Sequence, residues 1–186
     1  MAKKAKSSLI NMFLSLTIIA VVAAALLALV SYVTADSIEL AKKAKKESAI
    51  KQVLPAFDRT EECDIDGVAC TKAFSGDQLV GMAVEASSEN GFGGHLGIMV
   101  GFNADGTVSG YQVLESAETP GLGAKAQDWF QKGGKGDVIG MDPSTEIKVK
   151  KDGGSVDAIS GSTITSRAFC GIINSAYATF QKGGIE

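Results

Sequence analysis

Five hydroxyl side chains crowd into one short stretch of this 186-residue chain: Ser160, Ser162, Thr163, Thr165 and Ser166, with Gly161 among them. The stretch precedes an amphipathic pattern in which Ile164, Ala168, Phe169, Ile172, Ile173, Ala176 and Phe180 recur at helical spacing. A helix start needs only one Ser or Thr as its cap. Free N–H groups, spare hydroxyls and the positive end of a helix together make an anion site. A phosphate-bearing ligand near Ser160 to Ser166 is one reading, and a plain helix cap is the other.

Two glycine-containing segments could lie beside such a ligand. Glu118-Thr119-Pro120-Gly121-Leu122-Gly123 must turn at Pro-Gly, and its glycines leave backbone amides uncovered. It could wrap a planar ring or simply connect two elements. Gly91-Phe92-Gly93-Gly94-His95-Leu96-Gly97 places Leu96 where a dinucleotide loop needs glycine, and it comes before a strand. It reads as a wide turn, or as a place where backbone approaches a flat ligand closely. No P-loop pattern occurs.

Other chemistries lack their residues. Three cysteines and one histidine cannot hold a four-cysteine cluster, and no CxxC or CxxCH occurs. No metal site is expected. Cys63 and Cys70 bracket the turn-like Asp64-Ile65-Asp66-Gly67, either as a disulfide or as two thiols, and Cys170 falls in the helical pattern as core. The single histidine, His95, is expected at the surface or beside a ring, with no catalytic part. Residues 34–186 carry 15 basic and 21 acidic side chains, 15 − 21 = −6, which does not suit nucleic acid.

The elements that must position these loops follow from periodicity. Strands are expected over 78–86, 96–102 and 107–115, the last two joined as a hairpin through Asn103-Ala104-Asp105-Gly106. A short helix is expected over 125–132, a half-buried strand over 146–150 and a helix over 163–181. Residues 61–75 read as irregular. Strands set irregularly between helices indicate an α+β domain.

Ahead of that domain, Leu9 to Val33 contains no charged residue. Roughly 25 residues make a helix of ~37 Å, enough for ~30 Å of hydrocarbon. A cleaved signal would normally have a shorter apolar core. Lys3, Lys4 and Lys6 precede the run, but Lys42, Lys43, Lys45 and Lys46 follow it, so basic residues alone leave the orientation open. The short leading tail favours passage of the large domain. The organisation expected is a tail and transmembrane helix over 1–35, a polar linker helix over 36–55 and a domain over 56–186.

Asp157-Ala158-Ile159-Ser160-Gly161-Ser162-Thr163 resembles the flavinylation motif of the FMN-binding domains in the RnfG and NqrC subunits of ion-pumping redox complexes, with Ser162 where alanine is usual. Glu118 to Gly123 is similar to a second signature of that family, and Phe92 to Gly94, the hairpin and the single N-terminal span also fit. The resemblance implies an extracytoplasmic FMN-binding domain with a mostly antiparallel sheet and flanking helices. It implies covalent FMN, moved from FAD onto the Thr163 hydroxyl by a flavin transferase. Ser160, Gly161, Ser162, Ile164 and Thr165 would surround the phosphate. Thr119, Gly121, Leu122, Gly123 and Gly94 would lie along the ring, with Glu118 fixing its loop. The implied role is electron relay in the membrane-bound Rnf complex, which couples ferredoxin and NAD to Na⁺ or H⁺ movement; length favours the RnfG type over NqrC. A flavin redox sensor, a structural assembly protein and a phosphate-ester enzyme are the rivals.

Overall fold

The charge-free run does not stop at a boundary before the charged segment. In the computed structural model, which describes residues 9–183, both form one helix, α1 (Leu9–Val53), of 45 residues. It is long and apolar enough to cross a membrane. Lys3, Lys4 and Lys6 lie outside the described residues. Contacts divide the chain between Ala44 and Lys45. In the first unit the described residues are the helix as far as Ala44, the apolar run followed by a charged stretch. Its large side chains from Leu9 to Leu40 are exposed, as side chains meant for lipid would be.

The second unit is a five-stranded antiparallel meander in sequence order: β1 (Arg59–Ile65), β2 (Val68–Ser75), β3 (Gln78–Gly91), β4 (Gly94–Asn103) and β5 (Val108–Ser116). The segment expected to be irregular, 61–75, is in fact the hairpin β1–β2. Its Asp66-Gly67 turn has positive φ at both residues, as a tight hairpin requires. Mixed polarity hid these strands, because β1 at the sheet edge is mostly exposed and shows no apolar alternation. Cys63 and Cys70 are free thiols that stand opposite each other in this hairpin, and Cys170 is core, as expected.

The sheet's two faces are built differently. One carries Met82, Val84, Ile98, Val100, Phe102 and Val108, packed against the last helix, α3 (Thr163–Gly183), through Phe169, Ile173, Ala176 and Phe180. Phe130 stacks on Phe169 at 4.1 Å, and Tyr111 meets the same ring edge-on at 4.8 Å. The other face carries Ala73, Ala83 and Met99 and receives Ala49, Val53 and Leu54 at the end of α1. Glycine makes room there: a Cβ on Gly101 would sit 2.1 Å from the Val53 carbonyl oxygen, and one on Gly110 3.0 Å from its Cα.

Between sheet and α3 the chain runs through a short helix, α2 (Ala126–Trp129), and then loops. The strand expected over 146–150 is absent. Ile147 and Val149 are buried and Glu146, Lys148 and Lys150 exposed, so the alternation is real, but only Val149 pairs, in one isolated parallel bridge with Val156. A 3-10 turn over Lys150–Asp152 follows it.

Candidate functional site

Three loops meet at one end of the domain: the β3–β4 turn at Gly91–Gly94, the segment Glu118–Gly123 after β5, and the turn Asp157–Ser162 leading into α3. Glu118 holds the first two together. Its side chain is buried, and Oε2 accepts from the Gly93 N–H at 3.3 Å. A Cβ on Gly123 would sit 2.2 Å from that oxygen and 2.9 Å from the Thr165 hydroxyl, so the second loop also lies directly on α3. Trp129 ties the third loop in by donating its indole N–H to the Asp157 carbonyl at 2.8 Å. Leu122 reaches Gly161, whose φ of +79° suits glycine. The β3–β4 connection is a tight turn, with Gly91 opposite Gly94, and not the wide one expected. His95 is partly exposed there, its Nδ1 2.6 Å from Glu89.

The hydroxyl cluster divides into two sets. Ser162, Thr165 and Ser166 face inward. Ser162 and Thr165 bond each other at 2.7 Å; the Ser166 hydroxyl accepts from the Ile159 N–H at 2.9 Å and donates to the Ser162 carbonyl at 3.0 Å. These three lock the turn onto the helix and are spent on that task. Ser160 is exposed and Thr163 half-buried at the first position of α3. Thr163 is therefore the hydroxyl that the local structure presents at the helix start, beside free backbone N–H groups.

Two further features fit a flat, phosphate-bearing cofactor. Among the described residues from Lys45 onward, the large apolar side chains that remain exposed are Phe92 in the first loop, Leu122 in the second and Ile164 in the first turn of α3, just past the third. Ile164 belongs to the expected apolar face of α3 but is 49% exposed, because it lies beyond the sheet's cover. Exposed apolar side chains gathered at one place mark a binding surface. Beside Ile164 a cleft of about 570 Å³ runs between β3 and α3, lined by Ser87, Ser88, Asn90 and Arg167 among others; that is the size range of small-molecule sites. The second feature is Glu118 Oε1, which is buried without a hydrogen-bond partner. Buried carboxyl oxygens are rarely left so, and such an atom marks a place under functional constraint.

Nothing in the spacing of the sequence pointed to Lys151, 12 positions from Thr163, yet its Nζ donates to Thr163 Oγ1 at 3.3 Å. The Lys150–Asp152 turn reaches α3 through a two-pronged ion pair, with Arg167 Nε and Nη2 each 2.7 Å from an Asp152 oxygen. Those hydrogen bonds hold the Asp152 carboxyl below its usual range and raise Arg167 further.

The fold and the three-loop site define a class: a membrane-associated chain with an FMN-binding domain, and residues 91–178 match the model of that domain. Residues 6–53 match the RnfG N-terminal region. An RnfG-type subunit of the ion-translocating oxidoreductase complex of Methanosarcina acetivorans is 33% identical, covering 93% of this chain and 96% of the relative. The corresponding subunit of the Na⁺-translocating ferredoxin:NAD⁺ oxidoreductase complex of Acetobacterium woodii is 32% identical over 90% and 89%. A third, from the ion-translocating oxidoreductase complex of Vibrio vulnificus, is 33% identical over 83% and 81%. The chain belongs to this RnfG family.

Proposed function

We propose that this protein is the RnfG-type electron-transfer subunit of a membrane-bound, ion-translocating ferredoxin:NAD oxidoreductase, carrying FMN esterified to Thr163. The observation that carries the reading is the convergence of the three loops: the first two and the start of α3 each contribute one exposed apolar side chain, and Thr163 opens that helix beside them.

In maturation, the Thr163 hydroxyl attacks the FMN phosphorus of FAD, bound to a flavin transferase. The Oγ1–P bond forms, the pyrophosphate P–O bond breaks, AMP leaves and the hydroxyl proton passes to solvent. Threonine loses only a proton, so the product carries one negative charge on its phosphate. FMN, once attached, supplies reversible one- and two-electron chemistry without a metal.

The chain's own residues bind and orient. Phe92, Leu122 and Ile164 offer apolar surface to the ring. The backbone of Thr119, Gly121 and Gly123 would lie along it, with Gly94 at the facing turn. Glu118 keeps that loop against Gly93. Ser160, Gly161 and the first N–H groups of α3 would face the phosphate, while Ser162 and Thr165 hold the turn from within. A covalent tether keeps the cofactor at high local concentration beside its partners. The chain spans the membrane once through α1, with residues 56–186 on the extracytoplasmic side and 36–55 as the joining helix. Its partners are the other membrane and peripheral subunits of the complex.

The test is in-gel flavin fluorescence of the denatured protein made with a flavin transferase present, followed by mass spectrometry of the peptide holding Thr163. A fluorescent band with FMN on Thr163 is expected. Thr163→Val, close in shape, should lose the fluorescence completely and keep the melting temperature. Covalent flavin persisting in Thr163→Val would assign the wrong residue, and a dark wild-type band beside an active control would end the reading.

A further inference from the structure

The charges around Thr163 do not cancel. Three cations and two carboxylates meet where the Lys150–Asp152 turn rests on α3. Arg167 is taken by Asp152 through two bonds of 2.7 Å, and Lys150 by Asp157 at 2.7 Å. Lys148, nearby, is paired with Glu146 at 2.7 Å. Lys151 donates instead to a neutral hydroxyl, that of Thr163, at 3.3 Å. The unpaired balance is 3 − 2 = +1. It is centred on the side chain that touches the attachment oxygen.

The turn is built to keep it there. The bridge Val149–Val156, the Lys150 N–H to Val156 carbonyl bond of 2.8 Å and Gly153 at φ +85° close the turn on itself. Thr163 and Arg167, four residues apart, lie on one face of α3. Lys151–Thr163 and Asp152–Arg167 are thus two adjacent rungs between the same turn and the same helix face.

We propose that Lys151 is a cofactor-binding residue, its ammonium providing the counter-charge to the phosphodiester on Thr163. The proposal rests on the flavin attachment described above. A phosphate joined to Oγ1 begins one bond from an atom that Lys151 already contacts, and its single negative charge brings the local balance to zero. An ion pair with a charged acceptor then replaces a hydrogen bond to a neutral hydroxyl. The Asp152–Arg167 pair has the task of orienting the turn.

The experiment uses the full-length chain, purified flavin transferase and FAD, and follows covalent flavin by fluorescence and intact mass. The variants are Lys151→Gln, Lys151→Arg and Lys151→Glu, with Lys150→Gln as a control that removes the same charge from the neighbouring position. Lys151→Gln should slow attachment about tenfold, Lys151→Glu more, while Lys151→Arg and Lys150→Gln stay close to wild type. The ³¹P resonance of the phosphodiester should move in Lys151→Gln and stay in Lys150→Gln. Wild-type rates and an unmoved resonance in Lys151→Gln would overturn the proposal and leave the attachment to Thr163 intact. Equal slowing in Lys150→Gln would overturn it as a bulk charge effect. A wild-type chain without flavin would instead remove the functional reading, and this proposal with it.

Discussion

Two sets of glycines in this domain forbid a side chain for opposite reasons. Gly101 and Gly110 lie under the end of α1, where an added Cβ would strike the backbone of Val53. Gly123 lies at the site, where it would strike the Glu118 carboxyl at 2.2 Å, and on Gly91 it would meet that carboxyl and the Gly94 carbonyl oxygen, both at 2.5 Å. Beside the first pair the Val53 carbonyl accepts from the Ser109 hydroxyl. Around the second sits a buried carboxyl oxygen with no partner. At Gly101 and Gly110 the missing side chain makes room for the end of α1 and serves the fold. A glycine that yields to an unsatisfied acid serves a site, where stability is given up for a surface open to a ligand.

The difference can be broken by substitution. Gly101→Ala should cost most, about 2–4 kcal/mol of unfolding free energy, since backbone on both sides must shift. Urea denaturation would measure it, and Ser109→Ala should not restore the loss. A cost under ~0.5 kcal/mol would mean that the end of α1 yields easily and that this face is not tightly packed. Gly123→Ala should cost less, about 1–3 kcal/mol, because the obstacle is a side chain. Here a second change should help: Gly123→Ala with Glu118→Ala should be more stable than additivity allows. Strict additivity would show that the loop at Gly123 is held by something other than the acid beneath it.

The last effect expected is one of pH, absent near neutrality and growing only above pH ~9, and it touches the fold while sparing the site. Burial pushes the Cys170 thiol up to about 12 from an ordinary 9.0, and burial with the neighbouring Cys63 does the same to Cys70. A raised folded value means that the unfolded chain loses these protons first. Stability should therefore be whole below pH ~9 and decline between ~9 and ~12. The urea midpoint followed across that range should fall, and Cys170→Ala should flatten the fall. An unchanged slope in Cys170→Ala would assign the alkaline loss to other groups.

The sheet and the site were legible to different degrees. The hairpin β4–β5 and helix α3 were readable because apolar periodicity and a turn signal agreed over long runs. The hairpin β1–β2 was not, since an exposed edge strand needs no apolar alternation. Residues 146–150 alternate as a strand would, yet their burial comes from packing of a loop. At the site, the hydroxyl stretch Ser160 to Ser166 and the Glu118 loop could be singled out from local residue types, and Thr163 within that stretch from the motif it resembles. The separation of five hydroxyls into three that lock the turn and two that face outward could not, because that depends on which side of the turn the core lies.

Residues close together in the chain were enough to establish the long apolar helix, the α+β class and the two loops that resemble a flavin-binding family. Folding was needed to bring Gly93, Glu118 and Gly123 around one acid, to leave Phe92, Leu122 and Ile164 uncovered, and to set Lys151 on Thr163. Those relations join residues far apart in sequence. They are decided by how the meander twists, how α3 lies across it and which loops that packing forces together.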